Sequence, residues 1–220
     1  MIWTVSSFTP ENLMTLTPYH HGDLKNALIQ AGIEILSQEG LQALSLRRVA
    51  RRAGVSHSAP YAHFADKQAL IAAISTEGFR QLYDQLAAAV QQSQGDPLQQ
   101  LVQATRVYCD FALADSAHFK IMFSGVLEME DDYPDFVDIS LKNFNLVIEI
   151  VENCQQAGIL KPGPAEELAV TVWGLVHGVV SLMIEGQVSE TILTRLGPQK
   201  MLVSALNQIT IIEIDPQILD

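Results

Sequence analysis

Apolar residues recur along most of this chain at the spacing of three and four that places side chains on one face of an α-helix. Such stripes predict a first helix that ends at Gly40, a long helix over 66–92, and further helices from residue 98 onward. The turn-forming run Gly95, Asp96 and Pro97 separates the long helix from those that follow. The pattern therefore predicts an all-α fold.

Two short helices joined by a tight turn are predicted between residues 45 and 64. Ser45 is a suitable N-cap for the first, and Gly54 ends it because glycine adopts the left-handed conformation without a steric clash. Ser56 is a suitable cap for the second helix, over 57–64. The buried face of the first helix consists of Leu46, Val49, Ala50 and Ala53. This is the pattern of a helix-turn-helix.

Four arginines lie on the other side of the first of these helices: Arg47, Arg48, Arg51 and Arg52. They repel one another unless solvent or an anion neutralises them, and a guanidinium group binds phosphate with two hydrogen bonds. The second helix begins with small and polar side chains, which suits entry into the major groove of DNA. A solvated basic surface is the alternative for the arginines alone, but the attached turn and second helix favour DNA.

Residues 22 to about 80 resemble the N-terminal domain of the TetR family of bacterial transcriptional regulators. The resemblance rests on GDLKNALIQAGIEILSQEGLQALSLRRVARRAGVS at 22–56, on Tyr61-Ala62-His63-Phe64, and on Lys67 and Leu70. A Trp-Gly-Leu-Val-His-Gly stretch at 173–178 is similar to the C-terminal domain of one TetR subgroup, the WHG type. Residues 1–17 lack sustained helical periodicity, so we expect a disordered arm there. The resemblance implies a helix-turn-helix head over 18–66 and a helical effector-binding and dimerisation body over 67–220.

The resemblance also implies DNA contacts for the head. Ser45 and Arg47 or Arg48 would meet the DNA backbone, and the third helix, capped by Ser56, would read bases. The expected base readers are His57, Ser58 and Ala59, and the expected phosphate contacts are Tyr61, His63 and Lys67. For Tyr61 the alternative is packing against the first helix. Pro60 departs from the apolar residue usual in the family, and we expect it to distort the first turn of this helix because proline has no N–H.

The helix predicted over 165–186 is apolar nearly all round, so it must be covered on all sides. A second copy of the chain provides that cover most simply, with 198–212 as the second helix of a four-helix interface. A central helix of a monomer is the alternative. The resemblance further implies a pocket for a small, mostly apolar or aromatic effector. Candidate wall residues are Tyr108, Phe111, Phe119, Met122, Phe123, Trp173 and His177.

The charge distribution supports a head that approaches DNA. The chain has a formal net charge of −12, yet residues 18–65 carry five basic and three acidic side chains. An acidic body that phosphate repels would orient the basic head toward the duplex.

Other function classes find little support in the sequence. It contains no Gly-rich phosphate loop, nucleophile elbow or metal-spaced cluster, so we expect no enzyme activity, no cofactor and no metal. We expect no membrane-spanning segment and no secretory signal, and therefore a cytoplasmic protein. Cys109 and Cys154 are expected to be buried reduced thiols, with a redox-sensing pair as the alternative. Met1 and Met14 are both possible starts.

These observations predict a ligand-responsive transcriptional regulator, most simply a repressor, that binds a near-palindromic operator as a homodimer and is released by a small-molecule effector. Two other classes stay open. One is a helical small-molecule-binding protein without specific DNA recognition, and the other is a nonspecific DNA-architectural protein.

Overall fold

A computed structural model describes residues 24–127 and 132–219, and over those residues the chain is built from α-helices. The arm expected at 1–17 lies outside the described residues. The α-helices are α1 (Leu24–Glu39), α2 (Leu46–Arg52), α3 (Lys67–Gln92), α4 (Pro97–Ala114), α5 (Ser116–Met122), α6 (Pro134–Gln156), α7 (Ala165–Ile184) and α8 (Glu190–Leu206). Short 3₁₀ helices occur at Leu41–Ala43, Ala59–Ala62 and Pro216–Leu219. The all-α prediction is confirmed.

The head is a small helical unit around its own core. Ser45 caps α2 by accepting a hydrogen bond from the backbone N–H of Arg48 at 3.3 Å, as the sequence predicts. Gly54 follows the helix with φ of 70°, a conformation that suits glycine. The head core contains Leu28, Ile35, Leu44, Leu46, Val49, Phe64, Leu70, Ile71, Ile74 and Ile121. The last of these lies on α5, so the body contributes to the core of the head.

The third element of the head differs from the expected helix over 57–64. It is a 3₁₀ helix over Ala59–Ala62. Pro60 supplies the physical reason, because it has no N–H to donate to the carbonyl of Ser56. That carbonyl accepts instead from the backbone N–H of Ala59 at 3.0 Å, which is the tighter 3₁₀ pattern. The element expected to read bases is therefore shorter than the sequence predicts. Pro60 is itself buried.

Helix α3 connects the head to the body. Asp66 caps it by accepting from the backbone N–H of Ala69 at 2.9 Å. Its first turns place Leu70 and Ile74 in the head core, while Phe79 and Leu82 belong to the body core. One uninterrupted helix of 26 residues therefore takes part in both cores.

In the body α4, α5 and α6 pack against α3, and α7 and α8 pack against α4 and against each other. Pro198 lies inside α8, and Gly197 has a φ of 70°, so this helix is kinked. The second interface helix expected over 198–212 ends earlier, at Leu206. Beyond it the chain makes an isolated antiparallel bridge between Leu160 and Thr210.

Helix α7 is long and apolar enough to cross a bilayer, and only 28% of its most apolar window is buried. Length and composition alone do not make α7 a membrane span, so the expectation of no membrane-spanning segment stays a prediction. Length and composition of this kind also occur in a soluble helix that packs against another chain. Exposed apolar side chains on α7 include Val170 and Leu182, at 55% and 51% exposure. The helix is thus apolar on a face that the described residues of its own chain leave exposed.

Helices α3 and α5 approach each other closely at Gly78. A Cβ at this position would lie 2.5 Å from Sδ of Met122 and 2.7 Å from Nε2 of His118. Both side chains are buried, and Nε2 of His118 also lies 3.0 Å from the carbonyl oxygen of Ile74. The packing of α5 against α3 therefore depends on the absence of a side chain at Gly78.

We expect Gly78→Ala to lower the free energy of unfolding by about 1–3 kcal/mol, because a methyl group must displace buried atoms. The gain of about 1 kcal/mol in helix propensity works in the opposite direction. Urea denaturation followed by circular dichroism measures the change. An unchanged or higher free energy of unfolding would mean that α5 moves away from α3 at little cost.

Candidate DNA-binding surface and internal cavity

The residues expected to contact DNA lie around the helix-turn-helix. Most of these ten side chains are exposed: Arg47, Arg48, Ser56, His57, Ser58, Tyr61 and His63. The other three, Ser45, Ala59 and Lys67, are half-buried. The hydroxyl oxygens of Ser56 and Ser58 lie 3.1 Å apart. The turn and the 3₁₀ helix therefore present small polar groups and one aromatic ring to solvent.

The four arginines of α2 divide into two pairs. Arg48 pairs with Glu39, and Arg52 pairs with Glu39 at 2.8 Å and with Glu34 at 3.2 Å. Arg47 and Arg51 have no ion-pair partner among the residues that the structure describes. The acids of α1 thus neutralise half of the charge that sequence reasoning left to solvent or an anion. Arg47 offers an unpaired guanidinium group, whereas Arg48 must exchange a carboxylate for a phosphate.

Tyr61 and Lys67 occupy different environments. The Tyr61 side chain is 54% exposed, which favours an outward role over the alternative of packing against the first helix. The Lys67 ammonium group donates to the carbonyl oxygen of Leu41 at 3.1 Å. This bond ties the start of α3 to the turn before α2, so Lys67 has a structural role in the head beside any contact with phosphate.

The body contains a cavity of about 430 Å³ between α3, α4, α5, α6 and α7. Small-molecule sites in proteins generally measure about 300–1,000 Å³. The aromatic side chains of its wall are Phe79, Tyr108, Phe123, Phe136, Phe144 and Trp173. The polar side chains of its wall are Thr105, Tyr108, Ser140, Asn143 and Trp173. No charged side chain is among the described residues that line it.

Four of the seven residues expected at an effector pocket line this cavity: Tyr108, Met122, Phe123 and Trp173. The other three, Phe111, Phe119 and His177, lie off its wall. Phe119 is buried between the rings of Tyr108 and His177, with centroid distances of 5.4 Å and 5.6 Å. Phe111 is a partly buried member of the body core. The aromatic packing of the body therefore extends beyond the residues that line the cavity.

Two residues of the cavity wall, Trp173 and Tyr108, form a hydrogen-bonded group with His177, which lies off the wall. The indole N–H of Trp173 donates to the hydroxyl oxygen of Tyr108 at 3.3 Å, and that oxygen lies 2.7 Å from Nδ1 of His177. Burial raises the pKa of Tyr108 and lowers the pKa of His177. Both groups are therefore neutral near pH 7, and a neutral phenol and a neutral imidazole share this contact.

Helix α6 supplies wall residues that sequence reasoning missed, among them Phe136, Ser140, Asn143, Phe144 and Val147. Their spacing along α6 marks one helical face, which is the signal that would have grouped them. The Asn143 amide is buried, and its Nδ2 donates to the carbonyl oxygens of Phe79 and Ile139, both at 2.9 Å. These two bonds satisfy the donor group of a polar residue that is buried on a mainly apolar face.

The cysteines lie in a chemically quiet environment. Both Cys109 and Cys154 are buried free thiols. Burial, with a smaller contribution from Asp110, raises the pKa of Cys109 to about 11, and burial with a contribution from Asp96 raises the pKa of Cys154 to about 12. Because the thiolate is the reactive form, the redox-sensing alternative loses support. Over the described residues no group of three His, Cys, Asp or Glu side chains could hold a metal ion.

Comparison with known proteins connects the head and the body to one group of regulators. Residues 28–74 match the family of bacterial regulatory proteins called the tetR family, and residues 101–195 match the tetracyclin repressor-like C-terminal domain. A solved structure of a protein of unknown function from Rhodococcus sp. RHA1 is 30% identical, with a TM-score of 0.72 over 87% of this chain and 95% of that one.

Two further similar proteins are named as regulators. A bacterial regulatory protein in the tetR family from Rhodococcus RHA1 has a TM-score of 0.65 and 21% identity over 84% of this chain and 96% of that one. The uncharacterized HTH-type transcriptional regulator YobS of Bacillus subtilis (strain 168) is 26% identical over 116 residues, which make up 53% of this chain. The matched part spans 58% of the length of YobS.

We expect Arg47→Ala to weaken binding to duplexes of any sequence and to reduce the slope of log K against log salt concentration by about one. The reason is the loss of one phosphate contact from a guanidinium group that has no acidic partner in the described part of the chain. Fluorescence anisotropy with a random-sequence duplex at several salt concentrations measures the slope. Arg80→Ala is the matched control, since Arg80 is an exposed arginine of α3 that pairs with Glu77 at 2.8 Å. Equal slopes for the two variants would remove Arg47 from the phosphate interface.

Proposed function

The chain belongs to the TetR family of bacterial transcriptional regulators, and on that premise we propose that it is a repressor. In this proposal a homodimer binds a near-palindromic operator in the cytoplasm and is released when a small-molecule effector enters the cavity. The observation that carries it is the joining of a basic helix-turn-helix to an apolar cavity by one helix, α3. Membership of this family also places the chain among DNA-binding regulators rather than enzymes.

The proposed binding to DNA rests on the exposed surface of the head. Two heads related by a two-fold axis place their recognition elements in successive major grooves, about 34–36 Å apart. In each head the side chains of His57, Ser58 and Ala59 face the bases, and Arg47 and Tyr61 contact phosphates. The 3₁₀ form of the recognition element limits how many base edges it reaches, so most of the affinity comes from the backbone contacts.

The proposed dimer rests on α7 and α8. Their exposed apolar side chains include Val170, Leu182, Ile192 and Leu196, at 36% exposure or more. Gly174 and Gly178 lie on α7, and among the described residues, apart from the backbone of that helix, no atom lies within 4 Å of a Cβ placed at either position. A second copy that packs α7 and α8 against their equivalents buries these side chains and uses the small residues for close approach of the helices.

The proposed regulation rests on α5, which contacts the cavity and the head. Met122 lines the cavity, while its neighbour Ile121 lies in the head core. Asp115, just before α5, accepts from the backbone N–H of His118 at 3.1 Å. The hydroxyl oxygen of Ser37 on α1 lies 2.9 Å from each of its carboxylate oxygens.

A second contact joins the same two regions. Gln68, in the first turn of α3, donates to the carbonyl oxygen of Val126, just beyond α5, at 3.2 Å. An effector that displaces Met122 therefore shifts α5 and, through these contacts, the orientation of the head. The shift changes the separation of the two heads and lowers operator affinity by a coupling energy of about 1–3 kcal/mol.

We expect selection of duplexes from a random library, at near-physiological salt, to enrich an inverted repeat with fixed spacing, because a two-fold dimer reads two half-sites. Sequencing of the bound fraction measures the enrichment. A diffuse pool without symmetry would indicate the nonspecific architectural protein instead. Failure to retain any duplex would indicate a helical ligand-binding protein without DNA recognition.

We expect Gly174→Ala to weaken the dimer by about tenfold or more, because the added methyl group meets only the partner helix. The protomer itself should not lose stability, since the position is open within one chain and alanine favours a helix. Sedimentation equilibrium measures the dissociation constant. Asn145→Ala, which changes an exposed side chain of α6, is the control. An unchanged dissociation constant would place the interface elsewhere.

A further inference from the structure

We infer that the cavity selects a neutral, mainly apolar molecule that carries one hydrogen-bond donor, a hydroxyl or N–H group, which binds to Oδ1 of Asn143. The inference rests on the proposed function in taking this cavity as the effector site. It adds the chemical class of the ligand, which follows from the hydrogen atoms that the wall has already committed.

The Asn143 side chain provides the acceptor. Its Nδ2 group uses both hydrogens on the carbonyl oxygens of Phe79 and Ile139, each at 2.9 Å. Its Oδ1 is buried and has no hydrogen-bond partner among the described residues. A buried acceptor without a partner costs about 1–3 kcal/mol, so a ligand that supplies a donor gains that energy.

The orientation of this amide is fixed by its surroundings. Exchanging Oδ1 and Nδ2 would place the oxygen 2.9 Å from two carbonyl oxygens, which offer only lone pairs. Two repulsive contacts would then replace two hydrogen bonds. The assignment in which the oxygen lacks a partner is therefore the stable one.

Three further polar side chains of the wall have already used their hydrogens. Thr105 donates to the carbonyl oxygen of Leu101 at 2.8 Å, and Ser140 donates to that of Val137 at 2.9 Å. The indole N–H of Trp173 donates to the hydroxyl oxygen of Tyr108, which also lies 2.7 Å from Nδ1 of His177. Thr105, Ser140 and Trp173 thus have no hydrogen left for a ligand, which favours ligand groups that donate.

The same wall disfavours charged ligands. An anion finds no positively charged side chain among the described residues of the wall. A cation finds aromatic faces, but no described acidic side chain lines the cavity. Because removing a charge from water costs several kcal/mol more than one aromatic contact returns, the neutral molecule is preferred over both.

Isothermal titration of the full chain with four ligands on one skeleton tests the inference. The probes are 2-naphthol, its methyl ether, 2-naphthoate and 2-naphthylmethylammonium, which differ in the donor and the charge. We expect 2-naphthol to bind about tenfold more tightly than the methyl ether, as one hydrogen bond to a buried acceptor allows. The two ions should bind more weakly than either neutral compound. Equal binding of naphthol and ether, tighter binding of either ion, or no binding of any probe would overturn the inference.

Substitution of the acceptor tests the assignment to Asn143. Asn143→Leu should bring the affinity for 2-naphthol down to that for the methyl ether and leave the ether unchanged. Thr105→Val is the matched control, because it removes a wall hydroxyl whose hydrogen is already committed and should preserve the tenfold preference. A preference that persists in Asn143→Leu would overturn the assignment. If that variant does not fold, the probe series on the wild-type chain decides.

The outcome is separable from that of the proposed function. Binding to the free protein reports on the cavity, whereas release of a selected operator by 2-naphthol reports on regulation. A chain that binds the probes in the expected order without loss of operator affinity supports the ligand class and contradicts effector release through this cavity.

Discussion

The rest of the molecule depends on the packing of α5 against α3 at Gly78. Helix α3 belongs to both hydrophobic cores, with Ile74 in the head and Phe79 in the body, and Gly78 lies at the boundary between them. The missing side chain lets Met122 and His118 approach the helix axis, where a Cβ would come within 3 Å of either. A joint of this kind transmits a displacement in a defined direction, because close-packed side chains cannot absorb it by local compression.

Helix α5 gives that joint two sides. Its residues alternate between partners: Phe119 and Met122 belong to the body core, whereas Ile121 belongs to the head core. A helix of seven residues has little stability of its own, so its position is set by what it packs against. Changes in the cavity and changes in the head therefore act on the same short element, which is the physical requirement for coupling between two sites.

Much of the fold followed from helical periodicity, since stripes, caps and glycine stops act locally and are visible in the sequence. What escaped depended on partners distant along the chain. The neutralisation of Arg48 and Arg52 by Glu34 and Glu39 requires knowing how α1 crosses α2. The role of Asn143 requires knowing that α6 closes the cavity. Pro60 was recognised as a departure, but the conversion of a whole helix to a 3₁₀ turn depends on how the neighbouring carbonyls find other donors.

The commitment of hydrogens in the cavity wall bears on how a ligand could act. Thr105 and Ser140 satisfy carbonyls of their own helices, so a ligand does not compete for them. The amide of Asn143 instead joins α6 to α3 through the carbonyl of Phe79. A donor that engages Oδ1 polarises the amide and strengthens its N–H bonds, including the bond to α3. Ligand binding at Asn143 thus tightens a contact on the same helix that α5 packs against, one residue beyond Gly78.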